Sequence, residues 1–353
     1  MKIGIPRENK VLEGRVSLIP DAVSDLVKAG HDVFVEQGAG SLSGYADEDY
    51  VNAGARILPD SVSVYAEASL IVKVKEPIEA DLQQLTCAHT VFSFLHLAPQ
   101  PELTERLKKI GLTAIGFETV TDRQGGLPLL APMSQIAGRV ATQIGTHLLH
   151  EPQGGKGLLL GGIAGTERGH VVVLGGGNAG ASAAALAAQM GAQVTVFDKD
   201  NAKLERLRTN YATLTTLYPY NKHLAAAVTQ ADLLIGAVLI PGAETPHIVS
   251  RAMVEQMQAG SVIIDISVDQ GGCIETTHPT DYAAPTYRYA DVIHFGVTNM
   301  PGAVPRTASQ ALSAVLTPYV MRLAEQGVES DEGLKNGLQV QDGAVCHPAL
   351  MTG

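Results

Sequence analysis

The segment His170-Val171-Val172-Val173-Leu174-Gly175-Gly176-Gly177-Asn178-Ala179-Gly180 decides the fold of this 353-residue chain. Its first five residues form an apolar, β-branched run that is typical of a buried parallel strand. Gly175, Gly177 and Gly180 then make the pattern GxGxxG, and an alanine-rich helix is predicted from Ala181 to Met190. A strand, a glycine-rich turn and a helix in this order predict the start of a dinucleotide-binding βαβ unit.

Each glycine of the pattern has its own expected role. Gly175 permits the tight turn, Gly177 lets backbone amides approach a pyrophosphate, and Gly180 allows the helix to pack closely on the strand. Asn178 and Ala179 lie where the helix begins, and a helix N-terminus offers partial positive charge to phosphate groups. The segment therefore predicts a dinucleotide site.

An acidic residue at the end of the next predicted strand extends this prediction. Asp198 lies 23 residues after Gly175, close to the ~20 residues at which a carboxylate accepts the ribose 2′-hydroxyl. A carboxylate there repels a 2′-phosphate, which favours NAD over NADP. Lys199 and Lys203 weaken this preference, because either could meet a phosphate. The alternative is that Asp198 is a turn residue or caps a helix predicted over 200–209.

Short apolar runs and helical patterns alternate along the whole chain, which predicts parallel sheets built from βαβ units. The predicted strands lie near 2–5, 31–36, 70–75, 90–95, 112–117, 170–174, 193–197, 232–237, 261–266 and 291–295. A helical stretch from Ser134 to His150 separates the two series. We predict an α/β fold with two Rossmann-like, doubly wound domains. Residues 1–128, completed by the C-terminal segment 306–353, form the substrate-binding domain, and residues 129–305 form the dinucleotide-binding domain.

Length and composition agree with two globular domains and exclude several classes of protein. The chain exceeds the ~250 to 300 residues at which one core stops growing, and 45% of it is hydrophobic. A net charge of -11 disfavours nucleic acid as a partner. The spacing of Cys87, Cys273 and Cys346 suggests neither a disulfide framework nor a zinc site. No signal peptide or membrane span is apparent, so we expect a cytoplasmic protein that binds small molecules and no metal.

Charged residues near predicted strand ends are the candidates for chemistry, because ligands bind outside the carboxyl ends of parallel strands. Lys75 closes the run that begins at Leu70, His96 follows the run that ends at Leu95, and Asp269 lies just after the strand over 261–266. Arg15 lies in the loop after the first strand. Two cations, an imidazole and an acid predict a site for an α-keto or α-amino acid.

Each candidate also has a simpler explanation. Lys75 could be a solvated lysine of an edge strand, and Arg15 a surface arginine. His96 and Asp269 could be ordinary turn residues. Asp265 is either a buried structural group or part of the crevice, and its sequence context does not decide between them.

His147 and His150 share a helix face but lack a carboxylate at ligand spacing, which favours packing or surface roles over metal binding. No GxSxG motif is present, so nucleophilic hydrolysis has little support.

Motifs distributed along the whole chain resemble those of the alanine dehydrogenases, a family that shares its ancestry with the nicotinamide nucleotide transhydrogenases. The matching segments are Gly4-Ile5-Pro6-Arg7-Glu8, Glu13-Gly14-Arg15-Val16, Val74-Lys75-Glu76-Pro77, Phe94-Leu95-His96-Leu97-Ala98, Ala131-Pro132-Met133-Ser134, Gly155-Lys156-Gly157, Val173 to Gly180, Asp265 to Gly272, and Asn299 to Thr307. Because these segments match in order along the whole chain, a chance match of one motif does not explain the resemblance.

The resemblance implies NAD-dependent interconversion of L-alanine with pyruvate and ammonia by a homohexamer. It implies that Arg15 and Lys75 bind the substrate carboxylate, while His96 and Asp269 are the two acid/base candidates. The positions that it implies contact NAD are Ser134, Asp198, Lys203, Val238, Leu239, Ile266, Ser267, Val268, Asp269, Val297, Thr298, Asn299 and Met300.

The chain departs from the family pattern at Gly14, Ser17, Ile19 and His278, positions that bear on cofactor affinity and loop rigidity. Two other functions stay open. The chain could be the soluble nucleotide-binding component of a transhydrogenase, or an NAD-sensing protein without turnover.

Overall fold

The computed structural model describes residues 1–238 and 245–351 and divides the chain into two compact units. Unit 1 comprises Met1–Met133 and Gly302–Gly353, and unit 2 comprises Ser134–Pro301. Unit 1 is therefore built from two separate stretches of the chain.

The regular elements alternate between strand and helix through most of the chain. The strands are β1 (Lys2–Ile5), β2 (Asp32–Glu36), β3 (Arg56–Leu58), β4 (Leu70–Val72), β5 (Thr90–Ser93), β6 (Thr113–Gly116), β7 (His170–Leu174), β8 (Gln193–Phe197), β9 (Thr215–Leu217), β10 (Leu233–Gly236), β11 (Val262–Asp265), β12 (Thr286–Tyr289), β13 (Val292–Phe295), β14 (Leu338–Gln341) and β15 (Ala344–Val345). The α-helices are α1 (Pro20–Lys28), α2 (Asp47–Asn52), α3 (Ser61–Glu67), α4 (Glu79–Leu82), α5 (Pro101–Ile110), α6 (Ala131–Leu148), α7 (Asn178–Gln189), α8 (Asn201–Asn210), α9 (Asn221–Thr229), α10 (Arg251–Val254), α11 (Pro305–Gln326) and α12 (Glu332–Gly337).

The sheet of unit 1 has the order β15-β14-β6-β5-β4-β1-β2-β3, and β1 to β6 are parallel. This is the doubly wound order 3-2-1-4-5-6, in which the winding reverses between β1 and β4. We call this reversal the switch point of unit 1. A ligand crevice is expected there, outside the carboxyl ends of the strands.

The C-terminal segment completes this sheet. Strand β14 pairs antiparallel with β6, and the register shifts between Leu338 and Val340, which makes Gln339 part of a bulge. Val340 is fully buried in an apolar cluster with Phe34, Ile71 and Val91. Burying an aliphatic side chain of this size contributes roughly 1.5 to 3 kcal/mol. The segment is therefore an integral part of the core of unit 1.

The sheet of unit 2 has the order β12-β13-β11-β10-β7-β8-β9, with only β12 antiparallel. Apart from β12 it repeats the doubly wound order, with its switch point between β7 and β10. Helix α6 packs closely on α7 at Gly138. A Cβ there would lie 2.0 Å from the carbonyl oxygen of Ala179, so the contact requires a glycine. The hydroxyl of Thr142 also donates to the carbonyl of Ala183 at 3.1 Å.

The predicted α/β class with two Rossmann-like units is confirmed, and all ten predicted strands are present. Two bounds were wrong: β4 ends at Val72 and β5 at Ser93, so Lys75 and His96 each lie three residues beyond a strand. Among residues 1–238 and 245–351, five strands were not predicted from the sequence: β3, β9, β12, β14 and β15. Strands β3 and β9 have three residues each, too few to show the alternation of apolar and polar side chains.

Among residues 1–238 and 245–351, no helix combines the length and apolar character needed to cross a membrane. Within the same ranges, no group of three or more His, Cys, Asp or Glu side chains is arranged to hold a metal ion.

Candidate functional site

The glycine loop after β7 turns tightly and leaves open space on one side. Gly175 has a φ of +99°, and a Cβ there would lie 2.4 Å from the carbonyl oxygen of Ala237. A Cβ on Gly180 would lie 1.8 Å from the carbonyl oxygen of Gly175, so only glycine lets α7 start this close to the strand. By contrast, no atom lies within 4 Å of a Cβ built on Gly177. This geometry fits a pyrophosphate approaching the N-terminus of α7.

The two glycines therefore predict different defects. Gly180→Ala is expected to lower the melting temperature without nucleotide, because its Cβ meets backbone that cannot move aside. Gly177→Ala is expected to leave that melting temperature nearly unchanged and to raise the Kd for dinucleotide at least ~10-fold, since its methyl group fills the open space. Thermal denaturation and isothermal titration measure the two effects. Equal loss of stability in both variants would contradict the separation of roles.

The carboxylate of Asp198 faces this glycine loop. Its Oδ2 accepts the main-chain N–H of Gly176 at 2.6 Å, and its Oδ1 accepts that of Asp200 at 2.8 Å. The ammonium of Lys203 lies 3.9 Å from Asp198. Helix α8 is capped by Asp200, which accepts the N–H of Ala202 at 2.9 Å. The alternative that Asp198 caps this helix is therefore wrong.

Asp265 organises the turn after β11. It is fully buried, and its carboxylate accepts the N–H groups of Ser267 and Cys273 at 2.9 Å each and the hydroxyl of Thr277 at 2.7 Å. Burial raises the pKa of Asp265, although these hydrogen bonds oppose the rise. The question left open by the sequence is thus answered in favour of a structural role. The turn that it holds carries Asp269, whose side chain is exposed.

The other predicted nucleotide contacts also follow strand ends of unit 2. Ile266, Ser267 and Val268 form a 3-10 turn with Asp269, and Val238 follows β10. Val297, Thr298, Asn299 and Met300 follow β13, where Asn299 has a left-handed φ of +60°. Ser134 lies half-buried in the first turn of α6. Leu239 lies outside the described residues.

In unit 1, Arg15 is buried and held by an acidic neighbour. Its Nε donates to Oε1 of Glu13 at 2.6 Å and its Nη2 to Oε2 at 2.5 Å. Its Nη1 lies 3.3 Å from the sulfur of Met133. A paired, planar guanidinium is rigidly oriented, which suits recognition of a carboxylate. The loop around it is fixed by α11, because the hydroxyl of Ser309 accepts the N–H of Val16 at 2.9 Å.

A cavity of about 300 Å³ adjoins this arginine. Its lining comprises Arg7, Glu8, Glu13, Gly14, Arg15, Gly38, Ala39, Ser41 and Leu42. A volume of this size is at the small end of ligand pockets, which run from ~300 to 1,000 Å³.

Lys75 lies beside the switch point of unit 1. Burial lowers its pKa, and the positive charge of Arg15 adds to this effect. Its main-chain N–H and that of Val74 donate to Oε1 of Glu8, at 3.4 and 2.6 Å. The same carboxylate lies 3.6 Å from the buried ammonium of Lys73. Glu8 thus ties the loop of Lys75 to the loop after β1.

His96 lies half-buried after β5 and has a φ of +47°. Its main-chain N–H donates to Oε1 of Glu118 at 2.7 Å. Its ring stacks on Phe94, with centroids 5.8 Å apart and an interplanar angle of 8°. Arg15, Lys75 and His96 therefore follow β1, β4 and β5, three neighbouring strands of one sheet.

Three carboxylates that hold these residues were not predicted from the sequence: Glu13, Glu8 and Glu118. One signal was available, since each lies in a loop after a parallel strand, β1 for the first two and β6 for Glu118. Applying the strand-end rule to every acid, and not only to cations and imidazoles, would have found them.

One unit has a dinucleotide-binding loop, and the other has cations and an imidazole at the carboxyl edge of its sheet. This combination is typical of a two-domain, nucleotide-dependent dehydrogenase. Comparison with known families narrows this class. The description "Alanine dehydrogenase/PNT, N-terminal domain" matches residues 4–137, and "Alanine dehydrogenase/PNT, C-terminal domain" matches residues 141–348. The chain belongs to the alanine dehydrogenase/PNT family.

Individual relatives agree with this assignment over nearly the whole chain. The alanine dehydrogenase of Halomonas elongata is 45% identical over 99% of this chain and 96% of its own length. That of Bacillus subtilis is also 45% identical, over 99% and 94%. A solved L-alanine dehydrogenase superposes with a TM-score of 0.96 at 49% identity, covering 99% of this chain and 98% of its own. A transhydrogenase from Sinorhizobium meliloti gives 0.86 at 25% identity, covering 99% and 100%.

Proposed function

We propose that this chain is an NAD-dependent L-alanine dehydrogenase, which interconverts L-alanine with pyruvate and ammonia. The observation that carries the proposal is the placement of Arg15, Lys75 and His96 after three neighbouring strands of unit 1. The names of the full-length relatives support the choice of alanine as substrate.

In this proposal unit 1 holds the substrate and unit 2 the cofactor. Arg15 and Lys75 bind the substrate carboxylate with two positive charges and thereby orient its Cα. The glycine loop binds the pyrophosphate of NAD, and Asp198 accepts from the ribose hydroxyls. When bound, NAD supplies a hydride acceptor. Orientation of this kind lowers a barrier by ~7 to 11 kcal/mol relative to a bimolecular encounter.

Proton transfer is assigned to His96. Loss of a hydride from Cα of the neutral amine leaves an iminium of the substrate. The imidazole of His96 can take a proton from the water that adds to this iminium and return it when ammonia leaves. Asp269 orients water or ammonia and stabilises the positive charge of the iminium. General acid/base catalysis of this type contributes typically ~10² to 10⁴-fold.

The second candidate is a nucleotide-binding component of a transhydrogenase, which the likeness to the S. meliloti structure supports. A nucleotide carrier does not require a pair of cations, such as Arg15 and Lys75, to bind a substrate carboxylate. The sequence identity to the solved L-alanine dehydrogenase, 49%, is also higher than the 25% identity to the transhydrogenase. An NAD-sensing protein without turnover is the third candidate.

One assay separates the three. The purified chain is mixed with NAD and L-alanine, glycine or 2-aminobutyrate, and NADH is followed by absorbance. NADH formation from NAD and L-alanine, with no further component added, supports only the dehydrogenase. Nucleotide binding without alanine-dependent NADH overturns the proposed function.

The cofactor preference is expected to depend on Asp198. Wild type is expected to have the higher kcat/KM with NAD, and Asp198→Asn to reduce the ratio of NAD to NADP at least ~10-fold, because a charge-assisted hydrogen bond contributes about 1.5 to 3 kcal/mol. Asp200→Ala is the control. It removes the cap of α8 and an exposed ion pair with Lys203, whose ammonium lies 3.9 Å from Oδ2 of Asp200, but it leaves the carboxylate of Asp198 on the glycine loop. Stability is therefore expected to fall by about 0.5 to 2 kcal/mol, while the ratio changes much less than in Asp198→Asn. A wild type that prefers NADP would refute the assignment.

The same family resemblance supports a cytoplasmic homohexamer. Size-exclusion chromatography with light scattering determines the number of subunits in solution.

A further inference from the structure

His96 adopts a backbone conformation that residues other than glycine rarely occupy. Its φ of +47° lies in the left-handed region, where Cβ crowds the backbone. Such a conformation persists only where the surrounding structure holds it. The contacts at this turn therefore determine the direction in which the imidazole leaves the backbone.

One carboxylate accepts both main-chain N–H groups of the turn. His96 donates to Oε1 of Glu118 at 2.7 Å, and Leu95 donates to its Oε1 and Oε2 at 3.3 and 3.2 Å. Consecutive N–H groups that converge on one anion form a backbone nest. Hydrogen bonds to an ionised acceptor are roughly twice as strong as neutral ones. Glu118 thus stabilises the left-handed turn.

Glu118 is itself held by the C-terminal segment. The Nε2 of Gln339 donates to Oε1 of Glu118 at 3.1 Å and to the hydroxyl of Thr119 at 3.2 Å. Gln339 is part of the bulge in β14, and bulges next to functional sites redirect a side chain. A Cβ on Gly116 would lie 2.0 Å from this Nε2, so the glycine leaves the space that the amide occupies.

The imidazole packs against a fixed aromatic group. Phe94, on which it stacks, is buried and meets Phe117 edge-on, with centroids 5.1 Å apart. Phe117 in turn meets Phe92 at 4.5 Å. With the backbone angle and the stacking surface both set, the ring of His96 has little freedom to move.

We propose that Glu118 is a positioning residue for His96, and that Gln339 of the C-terminal segment holds Glu118 in place. The inference rests on the proposed function, in which His96 transfers the proton. Glu118 binds the main chain of His96, so it acts through orientation and not as a proton donor. A misplacement of ~1 Å in a reacting group can cost ~10²-fold in rate.

The kinetic test is Glu118→Gln. This substitution keeps the shape of the side chain, removes its charge, and replaces one of the two accepting oxygens by an NH₂ group that can only donate. We expect kcat to fall at least ~10-fold, while the Kd for NADH alone and the pH limb that belongs to His96 stay in place. Glu105→Gln, at an exposed glutamate paired with Lys108, is the matched control and is expected to leave kcat unchanged. In a His96→Ala background, Glu118→Gln is expected to change kcat less than ~2-fold. Effects that multiply would overturn the proposal.

A second measurement does not depend on turnover. With ¹³C-labelled histidine, the ring signal of His96 is assigned by its loss in His96→Ala. Glu118→Gln is expected to shift or broaden this signal, and Glu105→Gln to leave it unchanged. Gln339→Ala, which removes the support but keeps the carboxylate, is expected to shift it in the same direction. An unchanged signal in both site variants overturns the role of Glu118. Failure of the wild type to form NADH from L-alanine overturns only the proposed function.

Discussion

His96→Ala is expected to lower kcat at least ~10²-fold and to remove one limb of the pH profile of kcat/KM, since the lost imidazole is the group assigned to both take and return the proton. The turn itself is held by main-chain bonds to Glu118, so the variant is expected to fold with its loop in place. The profile should be recorded for pyruvate amination and for alanine deamination. A variant with undiminished kcat would return His96 to the role of an ordinary turn residue.

Asp269→Asn distinguishes the two acid/base candidates. The substitution keeps the shape of the side chain and removes its charge, so we expect a lower kcat with the His96 limb still present. The reverse pattern, a limb that survives in His96→Ala and vanishes in Asp269→Asn, would exchange the two roles.

The nucleotide loop could be predicted from sequence because its determinants are local. The backbone needs φ of +99° at Gly175 and no side chain at Gly180, and glycine alone meets both demands. The acid after the next strand follows from the same βαβ unit. The separate roles of Asp198 and Asp200 could not be predicted in this way. Both lie at the start of α8, and only the structure shows which one faces the glycine loop and which one caps the helix.

The strand-end rule gives candidate acids, but the partners of Glu8 and Glu118 could not be predicted, because those partners are distant along the chain. Glu118 lies 22 residues from His96, and Glu8 lies 66 from Val74. These pairs form only after the strands have taken the doubly wound order, which no single segment encodes. The strand end was misplaced for a related reason. The run from Leu70 to Lys75 is apolar and β-branched enough to predict a longer strand, but the N–H of Val74 bonds to Glu8, outside the sheet.

Three glutamates hold the loops of the proposed substrate site in unit 1. Each of the three residues assigned to the substrate is paired with a glutamate: Arg15 with Glu13, the loop of Lys75 with Glu8, and the turn of His96 with Glu118. The first pair orients a side chain, and the other two orient main chain. Preorganised groups lose less entropy when a ligand binds. The sheet brings the three loops to one edge, where Glu13 holds the side chain of Arg15 and the other two glutamates hold the backbone of their loops.

Lys75→Ala is expected to reduce kcat/KM for pyruvate more than tenfold while the Kd for NADH alone barely changes. A charge-assisted hydrogen bond to a carboxylate contributes about 1.5 to 3 kcal/mol, and the lower figure alone corresponds to about one decade. The loss falls on the substrate and not on the cofactor, because Lys75 belongs to unit 1. Lys109→Ala removes the same charge from an exposed position and is expected to leave kcat/KM unchanged.

The pH dependence of this variant set supplies an independent check. Burial, together with the charge of Arg15, lowers the pKa of Lys75 below its usual 10.5. The ammonium binds carboxylate only while protonated, so in wild type kcat/KM for pyruvate is expected to fall as pH rises through that lowered pKa. Lys75→Arg keeps its charge across this range, and its alkaline decline is expected to move to higher pH, whatever its absolute rate. If wild type, Lys75→Arg and Lys75→Ala all lose kcat/KM over the same alkaline range, the decline belongs to another group and the carboxylate-binding role of Lys75 is wrong.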